Sequence, residues 1–343
     1  MAQVVKGPGG RSLVVEISGA PPGKHAVFLL HGTPGTLSGP RPRGIFLHRL
    51  GIRLISYNRP GYPNSDRRKG RTVADAAADV RAIADYFGIH EFSVIGRSGG
   101  APHALACAAD SKLRGRIKCV AALSSLAPYD AKDLEWFEGM TESNQRAYHD
   151  VAHNLAELIA TLNQHAGQVR NNSQGLLNAL WPELVGSDKE VIGDIALRRI
   201  IAQTHAEALR ESTEGWVDDV VALGRRWGFS LSDITVPVLL WHGGDDVFSP
   251  VSHTKWLAKR IKTAEVELRP DFAHFGAVEI LPEILAWVLK DKADKAKRTA
   301  PPWDREREPA GYSDQLPVNA AQKKRLLVST GGHALMPGSG QGG

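Results

Sequence analysis

Short apolar runs alternate with longer segments of helical periodicity over the first 125 residues, and the alternation resumes after residue 237. Apolar runs of about four to eight residues predict buried strands, whereas apolar residues spaced three or four apart predict helices. The predicted strands are Leu13–Ile17, Val27–Leu30, Ile52–Tyr57, Phe92–Ile95, Ile117–Leu123, Val238–Trp241 and Val266–Leu268. The predicted helices are Thr72–Phe87, Ala101–Ala109, Val251–Lys262 and Val278–Leu289. Strands that are apolar throughout and joined by helices indicate an α/β fold, with a mostly parallel central sheet and helices on both faces.

A polar, helix-like segment without a convincing strand interrupts this alternation. It predicts an inserted helical cap over residues 128–226, between two halves of one core at 1–127 and 227–290. Three tryptophans of the cap either line a substrate pocket or pack between cap and core: Trp136, Trp181 and Trp216. Residues 291–343 contain too little apolar material to offset the entropy cost of ordering, so we predict a flexible tail there.

Charge is concentrated at the C-terminal end of the chain. Residues 290–343 carry a net charge of +4 of the whole chain's +5, which leaves the rest near neutral. Because no basic stripe with interleaved aromatic residues accompanies this excess, we expect no nucleic-acid partner. The N-terminus lacks the apolar region of a secretory signal, and no apolar stretch approaches membrane-spanning length. We therefore expect a cytoplasmic protein with no membrane partner, in which Cys107 and Cys119 are reduced core thiols.

The strongest chemical signal is the sequence G-R-S-G-G at residues 96–100, between a predicted strand and a predicted helix. A serine on so tight a turn needs a positive φ, and the close approach of strand and helix leaves room only for small residues such as Gly96 and Gly100. The start of the helix also places backbone donors beside the serine. We interpret Ser98 as a nucleophile.

A second signal is the turn H-G-T-P-G at residues 31–35, which follows the strand ending at Leu30. Acyl transfer builds negative charge on the former carbonyl oxygen, and preorganised N–H donors stabilise that charge. The backbone N–H groups of Thr33 and Gly99 are the predicted oxyanion hole. His31 is given a structural role in the turn.

The order of these motifs, with N-R-P-G-Y at residues 58–62 between them, resembles the α/β-hydrolase superfamily. The resemblance covers roughly residues 10–290. Within the superfamily, the chain looks most like lid-bearing serine esterase, haloperoxidase-like and proline-iminopeptidase-like members. Those relatives usually carry Asp before Arg-Pro-Gly where this chain has Asn58, which puts in doubt a contact behind the site.

The resemblance also implies the order nucleophile, acid, histidine along the chain. The acid is expected in the turn after a late strand, and the pattern G-x-x-D-x-x-x-P places it at Asp246, with Asp245 one residue away. The histidine is expected after the final strand, where His274 lies on a short loop. His253 is predicted to lie on a helix, and His103 to pack near the site without acting in catalysis.

These assignments predict a Ser-His-Asp hydrolase that cleaves a small-molecule carboxylic ester without a metal or organic cofactor. The alternatives are a peptide or amide hydrolase, a thioester or carbon–carbon bond hydrolase, and a catalytically slow ligand-binding protein on the same fold. An iminopeptidase-like enzyme would need an acidic lid residue to bind the substrate amine, and the candidates are Glu135, Glu138, Glu142 and Glu183. Arg97 either contacts an anionic substrate or, as we expect, forms a salt bridge beneath the helix.

Overall fold

An eight-stranded sheet lies at the centre of the computed structural model, which describes residues 2–22 and 24–290. The predicted tail at 291–343 lies outside the described residues. The strands are β1 (Gln3–Lys6), β2 (Ser12–Gly19), β3 (His25–Leu30), β4 (Ile52–Tyr57), β5 (Phe92–Arg97), β6 (Ile117–Leu123), β7 (Val238–Gly243) and β8 (Ala264–Arg269). Their order across the sheet is β1-β2-β4-β3-β5-β6-β7-β8. The pairs β1–β2 and β2–β4 are antiparallel, and every later pair is parallel.

All seven predicted strands are present, most of them extended by one or two residues at an end. Strand β1 was not predicted. It is an edge strand in which only Val5 is buried, so it lacks the apolar run that marks the inner strands.

Helices cover the sheet: α1 (Gly44–Arg49), α2 (Ala76–Tyr86), α3 (Gly100–Ala109), α10 (Val251–Ala258), α11 (Gly276–Glu279) and α12 (Leu281–Leu289). The short helix α1 was not predicted. Helix α10 ends four residues before its predicted end, because the chain must turn to begin β8 at Ala264.

The single helix predicted over Val278–Leu289 is wrong, because two helices meet at Ile280. Pro282 explains the break. It lies in the first turn of α12, where its missing N–H costs nothing, whereas a continuous helix would place it in the interior.

Alternate residues of the inner strands enter the apolar layers on opposite faces of the sheet. In β5, Val94 belongs to one buried cluster and Ile95 to the other, and Leu240 and Trp241 of β7 divide in the same way. Both faces of the sheet are therefore shielded from solvent, which accounts for the apolar runs in the sequence.

Six helices lie between β6 and β7 in the described chain: α4 (Glu142–His153), α5 (Leu155–Asn171), α6 (Gly175–Leu180), α7 (Gly186–Gly193), α8 (Ile195–Ala208) and α9 (Glu214–Leu223). They fall within the segment predicted as a cap. Side chains from five of them, together with the turns that follow β3, β5, β7 and β8, line one cavity at the carboxyl ends of the strands. No helix among the described residues has both the length and the apolar character of a membrane span.

Candidate active site

Ser98 lies on the tight turn between β5 and α3. Its φ is +52°, a left-handed conformation, and its backbone N–H donates to the carbonyl of Leu123 at 2.8 Å. A Cβ atom on Gly96 would lie 2.6 Å from the carbonyl carbon of Gly100, and one on Gly100 would lie 2.5 Å from the carbonyl oxygen of His31. Only glycine fits these two positions, as the motif predicted.

The three side chains predicted to act together lie in hydrogen-bonding reach of one another. Nε2 of His274 is 2.9 Å from Oγ of Ser98, and its Nδ1 is 2.9 Å from Oδ2 of Asp246. With the imidazole proton on Nδ1, the ring donates to the carboxylate and accepts from the serine hydroxyl. His274 comes from the loop after β8 and Asp246 from the loop after β7.

The carboxylate of Asp246 is fixed from both sides. Oδ1 accepts from the backbone N–H groups of Phe248 at 2.9 Å and Ser249 at 2.8 Å, and Oδ2 lies 3.2 Å from Nε2 of the buried His242. The neighbouring Asp245 is exposed and makes no contact with His274 in the described structure. The geometry thus favours Asp246 over Asp245, in agreement with the motif register.

Burial and charge oppose each other at His274. Burial disfavours the charged imidazolium, but the charge and the hydrogen bond of Asp246 outweigh it, so the pKa of His274 is raised above its ordinary value. Burial also works against the charged form of Asp246, yet His274 and His242 together lower the pKa of this carboxyl. Asp246 is therefore ionised at neutral pH, and His274 is poised to accept a proton.

Thr33 and Gly99 lie side by side against Ser98. A Cβ atom on Gly99 would collide with the side chain of Thr33, and one on Gly32 would lie 3.5 Å from Cβ of Ser98. Within the described residues, neither the N–H of Thr33 nor that of Gly99 has a hydrogen-bond partner, and both residues line the cavity. Thr33 and Gly99 therefore remain the predicted candidates for oxyanion donors.

A buried ion-pair cluster holds the turn that carries Thr33. The guanidinium of Arg59 donates to the carbonyl of Gly32 at 2.9 Å and to that of His31, and it pairs with Asp219 of α9. Asp219 in turn accepts from the hydroxyl of Thr33 at 2.7 Å and pairs with Arg71 at 2.6 Å. Although Asp219 is fully buried, the charges of the two arginines lower its pKa well below the ordinary value.

Asp219 was missed by the sequence analysis. It lies 160 residues from Arg59 in helix α9, which carries no motif. Arg59, in contrast, belongs to the N-R-P-G-Y segment, so this segment was the available signal.

Asn58, which departs from the family pattern, forms side-chain hydrogen bonds to the backbone of two loops. Its side-chain oxygen accepts from the N–H of Leu37 at 2.7 Å, and its amide donates to the carbonyl of Pro63 at 2.9 Å. Both polar atoms of the Asn58 carboxamide are therefore satisfied in the buried interior.

The other histidines considered near the site have structural partners. His31 donates from Nδ1 to the carbonyl of Gly32 at 2.8 Å, and burial and the charge of Arg59 lower its pKa. His103 on α3 is buried and donates to the carbonyl of Gly99 at 2.7 Å. His253 lies on α10, where it bonds backbone groups of Ala127 and Trp136 and does not approach Ser98.

Asp188 of α7 supports the loop of His274 and was also missed. Its Oδ1 accepts from the N–H of Phe275 at 2.7 Å, while Oδ2 has no partner among the described residues. Burial raises the pKa of Asp188 to about 6, with the charge of His274 acting in the opposite direction. A second carboxylate therefore lies close to the proposed base.

The cavity has a volume of about 540 Å³. Of the three cap tryptophans, only Trp216 lines it. Trp136 is buried elsewhere, and Trp181 is 40% exposed beneath Arg198. The lining is mostly apolar on helices α5, α6, α8 and α9, with side chains such as Leu158, Leu162, Leu176, Ile201 and Val220.

Two of the four acidic residues considered as amine-binding groups line the cavity, Glu142 and Glu183. The carboxylate of Glu183 is already engaged by the N–H and the hydroxyl of Ser143, at 3.0 and 2.6 Å. Glu135 and Glu138 are not part of the lining. No cluster of three or more acidic, His or Cys side chains suited to a metal ion occurs in the part of the chain that the structure describes.

The salt bridge expected for Arg97 is absent. Over residues 2–22 and 24–290 no carboxylate lies within 4.0 Å of its guanidinium, and its one hydrogen bond is from Nη1 to the carbonyl of Pro40 at 3.3 Å. The prediction was wrong because the side chain lines the cavity instead of lying under α3.

Comparison with known proteins agrees with this architecture. Residues 25–279 match the family described as having the alpha/beta hydrolase fold. A non-heme haloperoxidase from Rhodococcus erythropolis is 24% identical over 264 residues, which are 72% of this chain and 85% of that protein.

Solved structures share the fold at low sequence identity. An esterase from Exiguobacterium antarcticum superposes with a TM-score of 0.62 at 17% identity, over 84% of this chain and 99% of the esterase. An enol-lactonase from Burkholderia xenovorans LB400 gives a TM-score of 0.61 at 19% identity, over 84% of this chain and 98% of the lactonase. With the family match spanning residues 25–279, these findings establish that the chain belongs to the α/β-hydrolase fold family.

Proposed function

We propose that this protein is a serine hydrolase that cleaves a small-molecule carboxylic ester through an acyl-enzyme intermediate. The observation that carries the proposal is the continuous hydrogen-bonded chain from Ser98 through His274 to Asp246, with bonds of 2.9 Å on both sides of the imidazole. This arrangement supports general-base activation of a hydroxyl nucleophile.

In the first half of the reaction, Nε2 of His274 takes the proton of Ser98 while Oγ attacks the ester carbonyl carbon. The imidazolium that forms is stabilised by the ionised Asp246. The N–H groups of Thr33 and Gly99 bind the oxyanion, and each such donor contributes about 3–4 kcal/mol to the transition state. The carbon–oxygen bond to the leaving alcohol then breaks, and His274 gives its proton to the alkoxide.

In the second half, a water molecule replaces the alcohol. His274 takes a proton from the water as its oxygen attacks the acyl carbon of the ester on Ser98. Collapse of this second tetrahedral intermediate returns the proton to Oγ and releases the carboxylic acid. Every proton moves through His274, and no step requires another group.

An ester is favoured over a peptide as the substrate. Of the two candidate glutamates that line the cavity, Glu183 is engaged by Ser143 and is a poor site for a substrate amine, so a peptidase would depend on Glu142 alone. The structural relatives include an esterase and an enol-lactonase, both of which are named for reactions at ester bonds.

A fluorophosphonate probe combined with an ester series tests the proposal. We expect the wild type to be labelled and to hydrolyse p-nitrophenyl esters, with a preferred chain length, better than aminoacyl anilides. Ser98→Ala should abolish labelling and lower kcat by about 10⁴-fold or more. Ser143→Ala, which removes another cavity-lining hydroxyl, should still be labelled.

Two outcomes would contradict the proposal. Folded protein that resists the probe and turns over no ester would favour a ligand-binding role. Faster cleavage of the anilides than of the esters would favour the peptidase alternative.

A further inference from the structure

We propose that Arg97 binds a carboxylate of the substrate, so that the ester or lactone cleaved at Ser98 carries a free acid group. The inference rests on the proposed function and specifies its substrate class. It starts from the position of Arg97, which is the last residue of β5, directly precedes Ser98 and lines the same cavity.

The guanidinium of Arg97 has unused hydrogen-bonding capacity. An arginine offers five N–H donors in a planar fork that matches a carboxylate. In the described chain only Nη1 of Arg97 has a partner, the carbonyl of Pro40 at 3.3 Å. The bond is long for an N–H donor to a carbonyl oxygen. The fork therefore remains free for a ligand.

Other buried guanidinium groups of this molecule are neutralised. Arg59 and Arg71 both pair with Asp219, at 2.5 and 2.6 Å. Removing a charge from water without a partner is costly, so a carboxylate bound at Arg97 would stabilise this cavity-lining cation. Burial lowers the pKa of Arg97 to about 10, which still leaves the group charged at neutral pH.

The wall beside Arg97 contains a second side chain with an unsatisfied polar atom. A Cβ atom on Gly39 would lie 3.7 Å from Nη2 of Arg97 and 3.6 Å from Cγ2 of Thr204, so the arginine and helix α8 approach the same point. The next residue, His205, also lines the cavity, is 8% exposed, and has no partner for its Nδ1 among the described residues. This wall thus combines a cation with an unpartnered imidazole.

Carboxylates that line the cavity do not reach this wall. Glu142 and Asp150 belong to α4 and Glu183 follows α6, and none lies within 4.0 Å of the Arg97 guanidinium. Arg97 is nevertheless near the reacting groups, because it directly precedes Ser98 in the chain and lines the same cavity as Ser98 and His274. A short acid chain on the ester would bridge from Ser98 to the guanidinium, and such a molecule fits a cavity of about 540 Å³.

The test compares esters that differ only in charge. Monomethyl glutarate carries the acid on the acyl side, and methyl glutaramate replaces its carboxylate with a carboxamide. Acetoxyacetate and acetoxyacetamide form the matching pair with the acid on the alcohol side. Hydrolysis is followed by NMR. We expect the wild type to prefer the acid in at least one pair by about 10-fold or more in kcat/KM.

Measured at a pH above the titration of His274, Arg97→Met should lower kcat/KM for the preferred acid by about 10- to 100-fold and change that for its amide little, because only the acid loses a charge-assisted hydrogen bond. Arg97→Lys keeps the charge and should retain part of the preference. The control is Arg146→Met, which removes an exposed arginine of α4 near the same cavity and should leave the acid-to-amide ratio unchanged. Circular dichroism checks that each variant is folded.

Equal hydrolysis of acid and amide by the wild type, or an equal loss for both in Arg97→Met, would overturn the proposal. Loss of the preference in Arg146→Met would overturn the assignment to Arg97. If no ester is hydrolysed at all, calorimetric titration of glutarate into Ser98→Ala separates the two proposals. Binding that disappears when Arg97→Met is added supports the anion site and removes only the hydrolase proposal, whereas no binding overturns both.

Discussion

At the scale of single residues, the pKa of the proposed base is influenced by two groups of opposite charge. Asp188 raises the pKa of His274, and Arg97 lowers it. Neither residue shares a hydrogen bond with the imidazole, so each acts through its charge. Substituting either residue therefore tests the role of His274 as the base while its imidazole stays in place.

We predict opposite shifts in the pH dependence of kcat/KM for a neutral ester. The neutral imidazole is the active form, so the rate falls as the pH drops through the pKa of His274, which lies above the ordinary value of 6.5. Arg97→Met should move this limb to higher pH. Asp188→Asn should move it to lower pH, provided that the wild-type carboxylate is charged, which its pKa of about 6 allows above that pH. Shifts in the same direction would contradict His274 as the base.

A second prediction distinguishes the two adjacent aspartates. Asp246→Asn should lower kcat by about 10⁴-fold, because the amide no longer holds the imidazole in the required tautomer. Asp245→Asn is the matched control. Because this side chain is exposed, the substitution should change kcat by less than about twofold. The reverse result would place the acid one residue earlier. Steady-state kinetics on a p-nitrophenyl ester provides the measurement.

The sequence could indicate these positions because each follows from a local turn. Ser98 and Thr33 lie in glycine-rich turns whose residues are neighbours along the chain. Asp188 and Asp219 could not be found in this way, since their partners lie 87 and 160 residues away and no motif marks either helix. The unpaired state of Arg97 is also a property of the assembled cavity.

At the scale of elements, the strand–turn–helix unit around Ser98 depends on contacts that exclude any side chain. We predict that Gly96→Ala destabilises the protein by about 1–3 kcal/mol and lowers activity, because its Cβ atom would press on the Gly100 carbonyl. Gly167→Ala is the control. It lies within α5 with open space around it, so alanine should stabilise the protein by about 0.5–1 kcal/mol. Urea unfolding measures both, and a neutral Gly96 variant would contradict the packing argument.

The turn after β3 is likewise held from outside, by Arg59 and Asp219. We predict that Asp219→Asn costs about 3–5 kcal/mol in the free energy of unfolding, because two buried guanidinium groups lose their shared carboxylate. Esterase activity should fall as well, since Thr33 loses its anchor. Glu91→Gln breaks the exposed pair with Lys118 and should cost less than about 1 kcal/mol. Similar losses for the two variants would contradict the role given to the buried cluster.

At the scale of the whole molecule, the α/β architecture was predictable because its inner strands are buried on both faces. Strands β3 and β7 therefore contain unbroken apolar runs, and helices separate the strands along the chain. The edge strand β1 and the break at Ile280 escaped the prediction, since one buried residue or one proline carries little periodic signal. The helical segment at 128–226 was predicted from its composition alone. Composition did not predict the number of its helices or the contacts that they make.

The anchoring of the Thr33 turn by α9 has a consequence for attempts to change specificity by exchanging caps. The helix that would be removed with the 128–226 segment also supplies Asp219, which holds the turn of Thr33, a proposed oxyanion donor. A chimera carrying a foreign cap would lose this brace unless the graft ends before residue 214 and keeps the native helix. Recombination designs on this chain should therefore place the second crossover ahead of Glu214.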